Sequence, residues 1–276
     1  MNKLPLRKFV LIAAGLAMAS AAALTTTART LTASESDPAA LEAYLKTARV
    51  VSIDKSRSSG RTAPWILTLN DGTVERRAIF KYIDRRRPAF LPDSFHYELA
   101  AYELSKLVNL PIVPPVVERT IDTIPGSLQL FLEDCEKLRD LKRRGIDPPD
   151  PAGFGDALAE IRIFENLVFN ECGNLEDTLI HKDDWRICRV DFSEAFTTEP
   201  DLIPGCEIAR CSRSLYATLQ SLDRKKLQEA LGTFLAEDEL RALEKRRERI
   251  LGVLEELIKD KGEAAVLFGL PPAKES

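Results

Sequence analysis

Histidine is scarce in this 276-residue chain, which contains only His96 and His181. Zinc sites in proteins are built mainly from cysteine and histidine at short, characteristic spacings. No cysteine lies at such a spacing from either histidine. The sequence therefore gives no support for a Cys/His zinc site, although it has five cysteines: Cys135, Cys172, Cys188, Cys206 and Cys211.

The chain also lacks a large excess of charge of either sign. It has 39 Lys and Arg against 43 Asp and Glu, a formal net charge of -4. Nucleic-acid-binding domains usually carry a strong basic patch, so no nucleic-acid partner is expected. The basic run at residues 85–87 is short and predicts a solvated loop. No internal repeat is present, and 45% hydrophobic residues are enough for one large globular domain or two small ones.

The N-terminus has the pattern of a secretory signal peptide. Lys3, Arg7 and Lys8 precede an unbroken apolar and small-residue stretch at 9–24, and residues 19–23 offer two small-x-small cleavage sites. The stretch is shorter than the ~20 residues of a spanning helix. The alternatives are an uncleaved anchor or a buried core helix. We expect residues 1–28 to be a signal peptide, the protein to be periplasmic or secreted, and no membrane span unless this segment stays uncleaved.

Export affects how the cysteines are interpreted, because disulfides persist in oxidising compartments. Cys206 and Cys211 are the closest in sequence and follow a turn signal, Pro204 and Gly205. We predict a disulfide between them; the alternative is two free thiols, one of them buried. The odd number of cysteines leaves at least one unpaired.

The first half of the chain predicts mostly strands. Residues 29–48 form a polar lead-in with a short helix at 38–45. Residues 49–134 predict a small antiparallel sheet with one helix, which begins after residues 92–94. The hairpin turn is Asn70-Asp71-Gly72. The predicted strands are 49–53, 65–69, 74–83, 116–119 and 128–132.

The second half, residues 135–270, predicts mostly helices, followed by a tail at 271–276. A short hairpin at 178–180 and 187–190 interrupts the helices and ends just before Asp191. The predicted helices are 157–170, 215–222, 224–234 and 238–259.

The order of these parts suits phosphoryl transfer. A loop of small residues at 55–62 precedes a strand that ends at Lys81, the next helix carries Glu98, and Asp191 follows the later hairpin. Phosphoryl transfer depends on a lysine at the phosphates, a carboxylate that holds that lysine, and an acidic group that holds Mg²⁺.

Four segments carry a resemblance to a family: residues 95–104, 113–119, 246–250 and 262–268. Together they resemble an uncharacterised bacterial family whose layout is similar to that of phosphoinositide 3-/4-kinases and of the secreted atypical kinases of the Golgi. The resemblance runs from about residue 50 to residue 268. It implies an α+β, protein-kinase-like two-lobed fold, with a sheet-rich N-lobe at 49–134 and a helical C-lobe at 135–270.

The resemblance also implies residue roles. Lys81 becomes the phosphate-binding lysine and Glu98 its ion-pair partner, with Ser59 and Gly60 in the phosphate loop. Asp191 becomes a metal ligand. The alternatives are that Lys81 is a surface lysine at a strand end, that Glu98 is a solvated helix carboxylate and that Asp191 is a turn aspartate. The implied cofactors are ATP or another nucleotide with Mg²⁺ or Mn²⁺.

The segment at 170–180 departs from the family pattern. Cys172 stands where the pattern has the catalytic aspartate, Gly173 where it has an arginine, and Asp177 where it has a metal-binding asparagine. A carboxylate at 177 still suits a hard cation. A cysteine is a poor substitute for an aspartate that accepts the substrate's proton. Because Glu171 is adjacent to Cys172, both residues are candidates for the catalytic position.

Three hypotheses follow. The chain is an exported kinase-like protein that binds nucleotide and metal and acts as a weak ATP-dependent phosphotransferase, with a protein, lipid or sugar acceptor. Alternatively, it is a pseudokinase that acts as a binding or scaffolding module. The third hypothesis is a structural domain whose motifs are coincidental.

Overall fold

The structure is a computed structural model that describes residues 37–56, 63–86 and 92–269. Ser59 and Gly60, predicted to bind phosphate, lie outside the described residues, as do the predicted signal segment and the tail.

The N-terminal part is built around an antiparallel five-stranded sheet. Its strand order is β1-β2-β3-β7-β6, and β4 and β5 form a separate two-stranded ribbon. The elements, in chain order, are α1 (Pro38–Thr47), β1 (Arg49–Asp54), β2 (Trp65–Asn70), β3 (Glu75–Lys81), β4 (Asp84–Arg85), β5 (Asp93–Ser94), α2 (Phe95–Leu107), β6 (Val116–Ile121) and β7 (Ile124–Leu130).

The remainder is mainly helical, with two small sheets. The strand β9 lies between β10 and β8, and β11 pairs in parallel with β12. In chain order the elements are β8 (Cys135–Lys137), α3 (Leu138–Arg143), α4 (Pro151–Val168), β9 (Thr178–His181), β10 (Ile187–Arg189), β11 (Cys211–Ser212), α5 (Arg213–Ser221), α6 (Arg224–Leu231), α7 (Glu237–Lys261), α8 (Glu263–Val266) and β12 (Leu267–Phe268).

The large sheet follows from local sequence signals. In β2, Trp65, Leu67 and Leu69 are buried and alternate with less buried residues, as a strand with one face on a core requires. The turn that joins β2 to β3 is held by Asp71, whose carboxylate accepts hydrogen bonds from two backbone N–H groups. In β7, a Cβ on Gly126 would lie 2.3 Å from the carbonyl oxygen of Lys81. Glycine therefore allows β7 to approach the end of β3 closely.

Among the residues that the structure describes, the buried apolar side chains form two clusters. The smaller lies between α1 and the large sheet. The larger fills the helical part and includes the buried face of α2. The predicted α+β, kinase-like two-lobed arrangement agrees with this architecture.

Helix α4 differs from its predicted bounds of 157–170. It begins six residues earlier because Asp150 caps it, accepting from the N–H of Gly153, and because Pro151 occupies the first turn. It ends at Val168, since Phe169 has left-handed backbone angles (φ 53°). This early end places the segment after α4 beside the end of β10.

The arginine run predicted as a solvated loop makes specific contacts at its first two residues. Arg85 lies in β4 and pairs with Asp93 at 2.8 Å. Arg86 is partly buried and donates to the carbonyl of Phe234 at 2.9 Å. The ribbon is thereby tied to the segment between α6 and α7. The third residue of the run lies outside the described residues.

None of the helices within residues 37–56, 63–86 and 92–269 combines the length and apolar character needed to cross a bilayer.

Candidate functional site

Lys81, Glu98 and Asp191 meet at one point although they come from different elements. Lys81 ends β3, Glu98 lies in the first turn of α2, and Asp191 follows β10. The Nζ atom of Lys81 contacts Oε1 of Glu98 and lies 2.8 Å from Oδ1 of Asp191. Burial alone would lower the pKa of Lys81, but the charges of Glu98 and Asp191 outweigh it and raise the pKa above its ordinary value. The lysine is therefore positively charged at neutral pH.

Glu98 is buried and holds two groups at once. Its Oε1 also accepts a hydrogen bond from the backbone N–H of Phe192 at 3.0 Å. The ring of Phe192 packs edge-on against Phe164 in the core, with centroids 5.8 Å apart. Because Ser94 also donates its N–H to the carbonyl of Ser193, α2 is fixed against the segment that carries Asp191.

Asp191 has a backbone conformation that is uncommon for residues other than glycine. Its φ is 65°, and Phe169 and Phe196 nearby also have positive φ, 53° and 55°. Such conformations persist where the surroundings enforce them, and they are often found at functional sites. Asn170 contributes by donating its side-chain amide to the carbonyl of Asp191 at 3.2 Å. Burial tends to raise the pKa of Asp191, but Lys81 outweighs that effect and lowers it.

A cavity of about 440 Å³ opens next to Asp191. Four carboxylates line it: Glu171, Asp177, Asp191 and Glu194. The side-chain amide of Asn174 donates to Glu171 at 3.0 Å and to Asp177 at 2.6 Å, so one residue orients two of the four. The structure thus brings the predicted metal ligands, Asp177 and Asp191, and the candidate base Glu171 to a single cavity.

The two aspartates fit a divalent cation. Burial and the neighbouring negative charge of Asp191 raise the pKa of Asp177 to about 6. A bound cation would relieve this repulsion. Carboxylate oxygens are the ligands that Mg²⁺ prefers, and Mn²⁺ accepts them as well.

The disulfide differs from the predicted one. It joins Cys172 to Cys206, whose Cα atoms are 5.9 Å apart. The predicted Cys206–Cys211 pairing is wrong, because Cys211 is a buried free thiol in β11, where its residue pairs with Leu267 of β12. The two other free cysteines are Cys135 and Cys188.

This disulfide changes the role available to Cys172. A disulfide sulfur carries no thiol proton and forms no thiolate, so Cys172 in this state cannot act as a base. The carboxylate of Glu165 lies near the two sulfurs, but neither sulfur is a free thiolate for a metal. Of the two candidates for the catalytic position, Glu171 is the one that lines the cavity.

Sequence reasoning missed the groups that hold the 171–178 segment. Arg189, in β10, and Glu165, in α4, form a buried ion pair beneath it. The available signal was a charged residue inside a short apolar strand, which indicates a buried charge that needs a partner. The sequence did not show which acidic residue is that partner.

No protein-family model matches the chain, and a search of curated proteins found no sequence match. Solved structures match in fold. Hydra Fam20, solved with sugar, has a TM-score of 0.64 and 17% identity, over 83% of this chain and 91% of that one. The Golgi casein kinase with Mn and ADP bound has a TM-score of 0.57 and 15% identity, over 83% of this chain and 78% of that one.

A bacterial structure matches as well. The Helicobacter pylori proinflammatory kinase CtkA has a TM-score of 0.51 and 9% identity, over 79% of this chain and 98% of that one. At these identities the likeness concerns the fold. The chain has an atypical kinase-like fold.

Proposed function

We propose that this protein binds a nucleotide together with a divalent metal ion in the cleft marked by Lys81 and Asp191. The observation that carries the proposal is the contact of one lysine with two carboxylates from separate elements, Glu98 on α2 and Asp191 after β10. Surface ion pairs contribute little to stability, and Asp191 has a side chain 53% exposed. A half-exposed aspartate held in a left-handed conformation is better explained by ligand binding than by stability.

Each residue has a role in this proposal. Lys81 neutralises nucleotide phosphates, and Glu98 holds the lysine in place. Asp177 and Asp191 hold Mg²⁺ or Mn²⁺, which would supply charge neutralisation at the phosphates. The Golgi casein kinase, which has a similar fold, was solved with Mn and ADP bound. That structure supports the proposal that a divalent metal ion and a nucleotide bind here.

We further propose that the protein transfers phosphate slowly, with Glu171 as the base. Glu171 lines the cavity with both metal ligands, and Asn174 orients its carboxylate. General-base assistance contributes typically ~10²–10⁴-fold in rate, so a displaced base slows transfer without abolishing it. The acceptor is a protein, a lipid or a sugar. A sugar is among the candidates because hydra Fam20, which has a similar fold, was solved with sugar.

The second candidate is a pseudokinase that binds nucleotide without transfer. One observation favours it: the position where the family pattern has a catalytic aspartate is occupied by Cys172, whose sulfur is bonded to Cys206. The same disulfide supports location in an oxidising compartment, and with the sequence pattern at 1–28 we propose a periplasmic or secreted protein.

A thermal-shift assay tests the binding proposal. The chain without residues 1–28 is heated with Mn²⁺ and ADP, and we expect a rise in Tm that is lost in Lys81→Met and Asp191→Asn. The exposed residues Lys245 and Asp260 provide matched controls, and Lys245→Met and Asp260→Asn should keep the rise. No rise in the unsubstituted protein at millimolar ADP would refute the proposal.

Transfer is measured separately with labelled ATP and candidate acceptors. The weak phosphotransferase predicts slow incorporation that falls at least 10-fold in Glu171→Gln while ADP binding is kept. Binding without any incorporation would instead assign the protein to the pseudokinase class.

A further inference from the structure

The segment between α4 and β9 carries two groups of the proposed site, Glu171 and Asp177, yet it has no regular secondary structure. Its position is therefore set by individual contacts, which include a few backbone hydrogen bonds, the disulfide at Cys172 and side-chain contacts from below. Beneath it lies the ion pair between Arg189 and Glu165, with a guanidinium nitrogen 3.0 Å from a carboxylate oxygen. Both side chains are almost fully buried, at 0% and 1% exposure.

Arg189 bonds both ends of this segment. One guanidinium nitrogen donates to the carbonyl of Asn174 and to the hydroxyl of Thr178, each at 3.1 Å. The other lies 3.5 Å from the carbonyl of Glu171. The planar guanidinium suits this task because its five donors point in fixed directions.

Glu165 completes the arrangement from the other side. Its second carboxylate oxygen accepts the backbone N–H of Gly173 at 3.0 Å. The pair thus touches the segment at residues 171, 173, 174 and 178. The contact at 171 is to the main-chain carbonyl of Glu171 and the others are to neighbouring residues, so the pair does not touch the carboxylates of Glu171 and Asp177.

Stability alone does not explain a buried pair of this kind. Removing two charges from water costs several kcal/mol per ion, and apolar residues of similar volume at such sites are often as stabilising or more so. The pair does, however, connect the segment to the strand that ends two residues before Asp191. The N–H of Val190, next to Arg189, also donates to the carbonyl of Asp177 at 3.1 Å.

We propose that Arg189 is a positioning residue for the metal site. Through main-chain carbonyls it holds the 171–178 segment so that Glu171 and Asp177 face Asp191 across the cavity, without itself touching metal or nucleotide. This inference rests on the proposed function, since it assigns Arg189 a role in that site.

The test separates positioning from stability with an apolar replacement of the whole pair. In the double variant Arg189→Met/Glu165→Leu no charge is left buried alone, so its Tm in chelator should remain near that of the unsubstituted protein. Its affinity for Mn²⁺ in the presence of ADP, measured by the electron paramagnetic resonance signal of free Mn²⁺, should fall roughly 10- to 100-fold. The exposed Arg186 of the same hairpin gives the matched control, and Arg186→Met should bind as before.

Unchanged Mn²⁺ affinity in the double variant would overturn the inference and leave the proposed function intact. If the unsubstituted protein binds no Mn²⁺ with ADP, both fail together. Should the double variant not fold, Arg189→Lys decides by the same criterion. A lysine keeps the charge beside Glu165 but lacks the fork that reaches Asn174 and Thr178, so we expect a folded protein with at least 10-fold weaker binding, and equal binding would refute the role.

Discussion

The disulfide between Cys172 and Cys206 joins positions 34 residues apart and ties the segment that lines the cavity to the chain before β11. Replacing both cysteines by serine removes the cross-link. The chain-entropy relation for a closed loop of this length gives roughly 4 kcal/mol of stabilisation at 25 °C, within the usual range of about 2–4 kcal/mol for disulfides. For a folded unit of this size, 1 kcal/mol corresponds to about 2–4 °C in Tm. We therefore expect Tm to fall by roughly 8–15 °C.

Differential scanning calorimetry measures the change, and thiol labelling of the denatured protein checks its cause. The unsubstituted protein should react at three cysteines before reduction and at five after it, because Cys135, Cys188 and Cys211 are free. Cys135→Ser is the control, since it removes a cysteine outside the cross-link. Five reactive thiols before reduction, or a Tm that neither reduction nor the double substitution changes, would refute the assignment.

Three further predictions concern single side chains. Lys81→Met leaves Glu98 buried without its cation and should lower the free energy of unfolding by roughly 3–5 kcal/mol in denaturant titrations; a loss below about 1 kcal/mol would contradict the pairing. Phe164→Ala removes a fully buried ring and should cost roughly 3–5 kcal/mol, whereas Phe154→Ala, at a partly buried ring, should cost less. Turn hydrogen bonds lower the pKa of Asp71 to about 2, so the stabilisation by its carboxylate is complete above its ordinary pKa of 3.8 and is lost as the pH falls towards 2. The difference in unfolding free energy between the unsubstituted protein and Asp71→Asn should therefore shrink over that interval. A constant difference would be evidence against the turn contacts.

The parts of the fold that depend on local signals were predictable. The strands of the large sheet follow from alternating apolar residues and from the turn at Asp71. The strand that ends at Lys81 and the helix that carries Glu98 were both expected, and the structure brings these two side chains together with Asp191. Their order in the sequence was informative because each sits at a fixed point of an element, the end of a strand or the first turn of a helix.

Two long-range contacts were not predictable. The turn signal at Pro204 and Gly205 suggested a neighbour, Cys211, as the partner of Cys206, while the actual partner is 34 residues upstream. Nothing local encodes that approach. The buried pair of Arg189 and Glu165 is missed for the same reason.

The start of α4 was missed for a different reason. Two glycines, Gly153 and Gly155, interrupt its first turns, and exposed positions at its beginning weaken the apolar periodicity. The signals that do mark the start are the capping carboxylate of Asp150 and Pro151 in the first turn.

Locating the bound metal ion tests the proposed site directly. Crystals of the protein grown with Mn²⁺ and ADP are measured at a wavelength where manganese scatters anomalously. We predict an anomalous peak between the carboxylates of Asp177 and Asp191, with the ADP phosphates on the side of Lys81. A well-occupied manganese site elsewhere, with ADP bound away from Lys81, would contradict the proposed roles of Lys81, Asp177 and Asp191.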